Sequence, residues 1–351
     1  MFNDFYKGKK VLVTGHTGFK GTWLCQMLLE CGAEVFGYSL EPNTKPNLFD
    51  LCDMNSRVNS RIGDIRDYEN LSKYFAMIDP EIVFHLAAQP IVRDSYKDPV
   101  YTYETNVMGT VNLLEAIRHT PSVKSVVNIT TDKVYKNNEW CWGYREDEPL
   151  DGFDPYSNSK SCSELVTHSY INSFYSDKEI AISTARAGNV LGGGDFSNDR
   201  IIPDSVRAAL NKETIQVRNP NSIRPYQHVL EPLHVYLTIA YRQYNDKKIM
   251  GYYNIGPDDC DCITTGQLVD LFCKCWGDNL IWKSVSEENA PHEATYLKLD
   301  CSKIKSVFSW HPQWHIEECV QKVCDFSRVL QNEGNLIEEM SREIAEFYKE
   351  I

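Results

Sequence analysis

Through residue 187 the chain alternates short apolar runs rich in β-branched residues with longer stretches whose apolar positions recur every three or four residues. Lys10 to Thr14, Glu34 to Tyr38, Glu81 to Ala87, Val123 to Thr130 and Ile180 to Ala185 read as strands, with amphipathic helical patterns between several of them. This alternation predicts an α/β fold, a doubly wound parallel sheet covered by helices on both faces. One helical pattern aligns Val100, Tyr103, Val107, Val111 and Leu114 and stops before Pro121. Another begins at Pro155 with Asp154 as N-cap and continues through Leu165, Val166, Ser169 and Tyr170. Their apolar faces are broad enough to cover the sheet or to serve also as a dimer surface. After residue 187 glycines and prolines cluster from Gly188 to Pro203, and Pro220, Pro225 and Pro232 follow. A second, smaller domain is expected there, built from excursions off the sheet. The Glu-rich stretch from Gly334 to Ile351 carries Leu336, Met340, Ile344 and Phe347 on one face and predicts an added surface helix.

Composition narrows the function classes. With 351 residues, 42% hydrophobic and 24% charged, the chain has the make-up of a folded protein. Its 36 bases against 49 acids leave a net charge of −13, a field that repels phosphate backbones and anionic headgroups. Neither nucleic acid nor a membrane is an expected partner, and a small anion would need a local cluster of Arg or Lys. No apolar run approaches the roughly 20 residues of a bilayer span, and MFNDFYKGKK leads straight into a strand, so an unprocessed cytoplasmic protein is expected. The 12 scattered cysteines suit reduced thiols. Cys260/Cys262 and Cys273/Cys275 are each separated by a single residue, and the second pair lies in a helical pattern that turns them to different faces. They read as small core fillers, and no metal is expected.

The strongest local signal is Val11-Leu12-Val13-Thr14-Gly15-His16-Thr17-Gly18-Phe19-Lys20-Gly21, a strand running into three spaced glycines and then a helix. Such a turn lets main-chain amides and a helix N-terminus approach a pyrophosphate where a β-carbon would collide. Lys20 either adds a phosphate contact or is solvated. The second strand ends Gly37-Tyr38-Ser39-Leu40-Glu41, so the usual ribose-gripping acid is missing or displaced to Glu41. No Arg or Lys stands there to clamp a 2′-phosphate, which favours NAD over NADP. Asp64, in Gly63-Asp64-Ile65, either reaches an adenine or merely forms a turn. Tyr156 and Lys160 lie four apart on a helix, so the ammonium can favour the phenolate and make a base. Thr130 and Thr131 stand at the end of the fifth strand.

The segments TGHTGFKG, HLAAQP, TTDKVY, YSNSK, ARAGNVLGGGDF and RPYQHVLEP, in order from about Lys10 to about Phe326, resemble the extended short-chain dehydrogenase/reductases. Within these the chain is similar to the CDP-glucose 4,6-dehydratases. The more specific marks are His16, the Phe19-Lys20 pair and Thr131-Asp132-Lys133, where the related dTDP-glucose enzymes have Thr-Asp-Glu and epimerases lack the charged pair.

The resemblance implies a Rossmann-like, NAD-binding domain over residues 1–187 with a return segment at about 228–258. It also implies a smaller C-terminal α/β domain for the sugar nucleotide over 188–227 and 259–330, and a helical tail over 331–351. It assigns NAD to Gly15, His16, Thr17, Gly18, Phe19, Gly21, Asp64, Ile65, Leu86, Ala87, Ala88 and Asn106, with Tyr156 and Lys160. The implied reaction oxidises carbon 4 with Tyr156, Lys160 and Thr131, eliminates water across carbons 5 and 6, and returns hydride to carbon 6. Asp132 would be the acid and Lys133 the base, provided that burial or nearby cations keep it neutral. Neighbours on a strand point to opposite faces, so this pair can meet one substrate only where the strand has ended; otherwise they form a solvated turn. A CDP-hexose would be met by Gln89 and Arg93 at the sugar and by Asn189, Arg200, Arg218, Arg224 and Gln227 beyond it. A homodimer or higher homo-oligomer is implied as well. Two alternatives share the loop: a sugar-nucleotide 4-epimerase, which needs no acid and base for water loss, and a non-catalytic dinucleotide sensor.

Overall fold

The computed structural model describes residues 2–285 and 295–349; residues 286–294 of the expected second domain, Met1 and the last two residues of the tail lie outside the described residues. The strands are β1 (Lys10–Thr14), β2 (Glu34–Ser39), β3 (Asn59–Ile62), β4 (Ile82–His85), β5 (Ser125–Ile129) and β6 (Ala181–Ala187). They are followed by β7 (Val190–Leu191), β8 (Ile215–Val217), β9 (Ile223–Pro225), β10 (Gln227–His228), β11 (Tyr252–Ile255), β12 (Cys262–Thr264) and β13 (Trp282–Ser284). The central sheet has seven strands, all parallel, in the order β11-β6-β5-β4-β1-β2-β3. The order reverses between β1 and β4, which opens a crevice at the carboxyl ends of the strands.

Strand residues alternate between two cores. Val11, Val13, Ile82, Phe84, Val127 and Ala185 face one, and Leu12, Val83, Val126 and Ile182 the other. Burial on both faces is what makes these strands read as continuous apolar runs. The first face carries the helices Phe19–Glu30 and Leu230–Asn245. Gln243 fastens the second of these to the sheet, its Nε2 donating to Val126 O at 2.9 Å and its Oε1 accepting from Ser183 Oγ at 2.5 Å. Helices Tyr68–Ile78, Gly109–Arg118 and Pro155–Tyr170 cover the other face. The late strand β11 then joins the far edge beside β6. Outside the sheet, the ladders β7/β10, β9/β12 and β8/β13 and the helices Ile201–Leu210, Thr265–Trp276 and Ile316–Gln331 build a smaller lobe over the crevice.

Three sequence expectations need correction. The pattern from Val100 to Leu114 is not one α-helix: a π-turn, Glu104–Met108, separates Pro99–Tyr103 from Gly109–Arg118. All twelve cysteines are free; Cys273 and Cys275 are half-buried and pack against the core, but Cys260 is exposed and Cys262 only half-buried, so core filling does not describe the first pair. The tail helix, Leu336–Phe347, is more than a surface addition. Leu336, Met340, Ile344 and Phe347 are buried as their spacing implies, yet Glu343 is buried with them, its Oε2 3.4 Å from His228 Nε2. Burial pushes the Glu343 carboxyl well up and the His228 imidazole down to about 3, each toward its neutral form. No described helix is long and apolar enough to cross a membrane.

Phe347 stands edge-on to Trp314, ring centroids 5.2 Å apart, and is fully buried. Phe347→Ala is expected to cost about 3–5 kcal/mol in urea unfolding. A loss below about 1 kcal/mol, the range of surface changes, would show the tail to be peripheral.

Candidate active site

The segments following β1 to β6 converge on one cavity of about 740 Å³. At its floor the glycine turn is built by exclusion. A β-carbon on Gly15, which has φ +75°, would lie 2.7 Å from Ala87 N, and one on Gly21 would lie 2.1 Å from Gly15 O. Gly18 differs: a β-carbon there would meet only Gly15 O, at 3.4 Å, and would project toward the cavity that Gly18 lines. Gly18 also caps the helix Phe19–Glu30 without a side-chain bond, leaving first-turn amides open to an anion. This cradle fits a dinucleotide pyrophosphate. Thr17 Oγ1 ties the turn to the end of β2, donating to Leu40 O and pairing with Ser39 Oγ, each at 2.9 Å. Ser39, Leu40, Glu41 and Asn43 line that end, with no cation among them. Asp64 lines the cavity with Ile65; burial opposes its ionisation, but the Arg66 hydrogen bonds prevail and hold the carboxyl below its usual range. Leu86, Ala87 and Ala88, after β4, complete this half, and Phe19 lines the opposite side.

The chain leaves β5 at Ile129 and folds at once into a 3₁₀ turn, Asp132–Val134, capped by Thr131. Because the strand has ended, Asp132 and Lys133 both line the cavity. Thr131 Oγ1 donates to Asp132 Oδ1 at 3.0 Å, while Asp132 Oδ2 is buried without a hydrogen-bond partner among the described residues. Burial raises the Asp132 carboxyl above its usual range, against the opposing pull of Lys133 and the Thr131 bond. The neighbouring helix starts where its sequence implies: Asp154 Oδ1 accepts from Ser157 N at 3.0 Å, which sets Tyr156 and Lys160 on the cavity side. Lys160 Nζ donates to Ile129 O at 2.9 Å, and burial lowers it to about 8, opposed by Glu164. Tyr156 is hydrogen-bonded by Thr131, but burial prevails and pushes the phenol up to about 12. The side chains alone therefore do not produce the depressed phenol that the Tyr–Lys spacing leads one to expect.

Four arginines from distant parts of the chain line the other end. Arg218 Nη1 lies 2.7 Å and Arg93 Nε 3.8 Å from Asp199 Oδ1, and Arg200 Nη1 lies 3.6 Å from Asp195 Oδ2. Arg224 is buried and donates to Ile223 O at 2.9 Å. Asn189 also lines this end. The segment carrying Asp195 and Arg200 is held by a glycine packed beneath aromatics: Trp23 Nε1 donates to Gly193 O at 3.0 Å, and a β-carbon on Gly193 would lie 1.9 Å from the Phe326 ring.

A family model described as GDP-mannose 4,6 dehydratase matches residues 12–323. The chain belongs to this family. It is 48% identical over 350 residues to a CDP-glucose 4,6-dehydratase of Salmonella typhimurium, covering 98% of this chain and 97% of that one. It is 26% identical to a CDP-paratose 2-epimerase of Salmonella typhi, over 91% of this chain and 99% of that one. Among solved structures it shares its fold with a Thermus thermophilus UDP-glucose 4-epimerase in complex with NAD (TM-score 0.80, 24% identity, 91% and 99% of the two chains). A Bacillus anthracis dTDP-glucose 4,6-dehydratase in complex with NAD superposes similarly (TM-score 0.78, 21% identity, 94% and 100%).

Not every residue singled out from the sequence of this family member faces the cavity. The His16 ring is buried beneath β2, its Nε2 2.8 Å from Ser60 Oγ, where a side chain at Gly37 would collide with it. Asn106, on the π-turn, braces the segment after β4, accepting from Gln89 N at 2.8 Å and donating to Gln89 O and Ser159 Oγ. Gln227 is buried and donates to Ile255 O at 3.1 Å. The Gln89 amide reaches the wall, but it is engaged at both ends, with Thr102 Oγ1 and Ile91 N. Residues not singled out include Asp195 and Asp199, which orient the arginines, and Glu164, one helical turn beyond Lys160.

The glycines separate two kinds of failure. Gly18→Ala should fold with a melting temperature near that of the wild type yet lose most of its affinity for NAD, read by quenching of protein fluorescence. Gly21→Ala should lower the melting temperature itself, because its β-carbon meets main chain rather than ligand space. Equal melting temperatures for both variants would refute this division.

Proposed function

We propose that the protein converts CDP-D-glucose to CDP-4-keto-6-deoxy-D-glucose with NAD as a bound cofactor. The observation that carries this reading is the convergence of a Thr-Asp-Lys turn and a Tyr-x-x-x-Lys helix on one cavity, in a chain nearly half identical to a CDP-glucose 4,6-dehydratase. The glycine cradle and the cation-free end of β2, where Glu41 would repel a 2′-phosphate, favour NAD over its phosphorylated form.

Water does not leave glucose readily, because the proton on carbon 5 is not acidic until carbon 4 is a ketone. When bound, NAD supplies the reversible hydride acceptor, taking hydride from carbon 4 and giving it back at carbon 6. Tyr156, as the phenolate, takes the proton of the 4-hydroxyl, with Thr131 bonded to its oxygen; because burial alone holds the phenol at about 12, the positive charge of the bound nicotinamide and of Lys160 would have to bring it down. Lys133, which must enter this step as the neutral amine, takes the proton from carbon 5. Asp132, whose burial favours the protonated acid, delivers its proton to the departing 6-hydroxyl. Lys133 returns its proton to carbon 5 as hydride reaches carbon 6. Tyr156 has then gained one proton and Asp132 has lost one, so a transfer between them resets the site. Asn189, Arg200, Arg218 and Arg224 hold the diphosphate and the nucleoside, together with Arg93, which shares Asp199 with Arg218.

The protein acts as a cytoplasmic homodimer. Val100, Met108, Leu165 and Phe174, exposed on the helices that cover one sheet face, supply the apolar surface for the second copy.

Incubation with CDP-, UDP-, dTDP- and GDP-glucose, followed by mass analysis, should give a product lighter by one water from CDP-glucose; unchanged masses throughout would point to an epimerase or a sensor. Tyr156→Phe should reduce turnover by about 10²–10⁴-fold with NAD still bound. Lys133→Met should still oxidise carbon 4, visible as reduced-nicotinamide absorbance, but stall before water is lost. Dehydration by Lys133→Met at the wild-type rate would remove Lys133 as the base.

A further inference from the structure

Lys20 occupies the first turn of the helix Phe19–Glu30, where the main chain belongs to the glycine cradle, but its side chain lines the reaction cavity. There it lies within electrostatic reach of two groups of residues. Asp132 and Lys160 belong to the catalytic turn and helix, and Asp195 and Arg200 belong to the segment that closes the arginine-lined end. Several other cations along this wall are engaged: Arg93 and Arg218 share Asp199, Arg200 faces Asp195, and Lys160 donates to Ile129 O. The Lys20 ammonium has no hydrogen-bond or ion-pair partner among the described residues. Lys20, Lys160 and Arg200 thus meet Asp132 and Asp195 in a partly dehydrated corner, and of these three cations Lys20 is the one left without a partner among the described residues.

An unpartnered ammonium in such a corner is unfavourable by itself and becomes favourable beside an anion. Burial, with Arg200 and Lys160 adding to it, lowers the Lys20 ammonium to about 8, and a phosphate oxygen would reverse that strain. The position of the corner narrows the choice of anion. The first-turn amides belong to the cofactor side of the cradle, whereas Lys20 lines the cavity within electrostatic reach of residues of the catalytic turn and of the smaller lobe. A hexose reacting at Tyr156 and Asp132, with its diphosphate running toward Arg200, would place its glycosidic phosphate between these two groups.

We propose that Lys20 binds the phosphate attached to the hexose, making it a residue that selects diphosphate-linked sugars and holds carbon 4 against Tyr156. The assignment rests on the dehydratase reading of the site. It gives the loop two roles in one turn, main chain for the cofactor and side chain for the substrate.

The test uses titration calorimetry on the NAD-loaded protein and its Lys20→Met and Lys20→Arg variants, with CDP and CMP as probes and NAD affinity measured in parallel. CDP retains the phosphate in question and CMP lacks it. Lys20→Met should weaken CDP by about 10- to 100-fold, the range of one charge-assisted hydrogen bond. CMP and NAD should stay within about twofold, which is under 0.5 kcal/mol, and Lys20→Arg should recover most of the CDP affinity. Retention of NAD also shows that the variant is folded. Equal losses for CDP and CMP, or a loss falling mainly on NAD, would overturn the assignment and return Lys20 to the cofactor. A wild-type protein that binds neither CDP nor CMP would overturn the dehydratase reading itself, and this assignment with it.

Discussion

A buried ion pair holds the site together. Arg186 on β6 grips Glu164 with two parallel bonds, Nε to Oε1 at 2.9 Å and Nη2 to Oε2 at 3.0 Å. Each carboxylate oxygen takes a second donor, Thr130 Oγ1 at 2.5 Å and Thr184 Oγ1 at 2.6 Å. Arg186 Nη1 reaches Tyr135 OH, which in turn donates to Asn254 on β11. The end of β5, the strands β6 and β11, the segment after the catalytic turn and the Tyr–Lys helix are thereby locked into one register. A buried pair of this kind adds little net stability, but losing one partner leaves a charge stranded and costs about 3–5 kcal/mol. Its value here is geometric. Glu164 lies one turn from Lys160 and offsets part of the burial that would strip that ammonium of its proton.

The glycine turn and the Tyr–Lys helix were legible because they are local. The turn residues are adjacent in sequence, and the helix announces itself through Asp154 and Pro155. Strands buried on both faces were equally plain. The two edges of the sheet were not: β3 reads Asn-Ser-Arg-Ile and is mostly exposed, so it lacks the apolar signal, and Tyr252–Ile255 is a short run among turn residues. The π-turn was invisible because one extra residue per turn barely disturbs a three- and four-residue spacing.

Within the site, side-chain direction was the hidden variable. His16 and Gln227 sit in motifs that flank the cavity, yet their side chains turn inward, and Asn106 supports a loop rather than lining the wall. The pairing of Arg93 with Asp199 joins segments a hundred residues apart, which no local spacing reveals. The ionisation of Tyr156 depends on burial, a property of the assembled fold. Sequence reading picked out the arginines of the cavity but neither Asp195 and Asp199, which pair with them, nor the buried pair of Arg186 and Glu164.

The run Gly192-Gly193-Gly194 has the composition of a hinge, but it does not behave as one. Pinned by an indole above and pressed onto the face of Phe326, its middle residue has no slack left to use. The glycines are there for thinness, allowing the backbone to pass where no side chain could. A ligand arriving at Arg200 therefore meets a wall that is already set, and little chain entropy remains to be lost on binding. Trimming the ring at position 326 would restore freedom to this segment and loosen recognition from behind, without altering any group that the ligand touches.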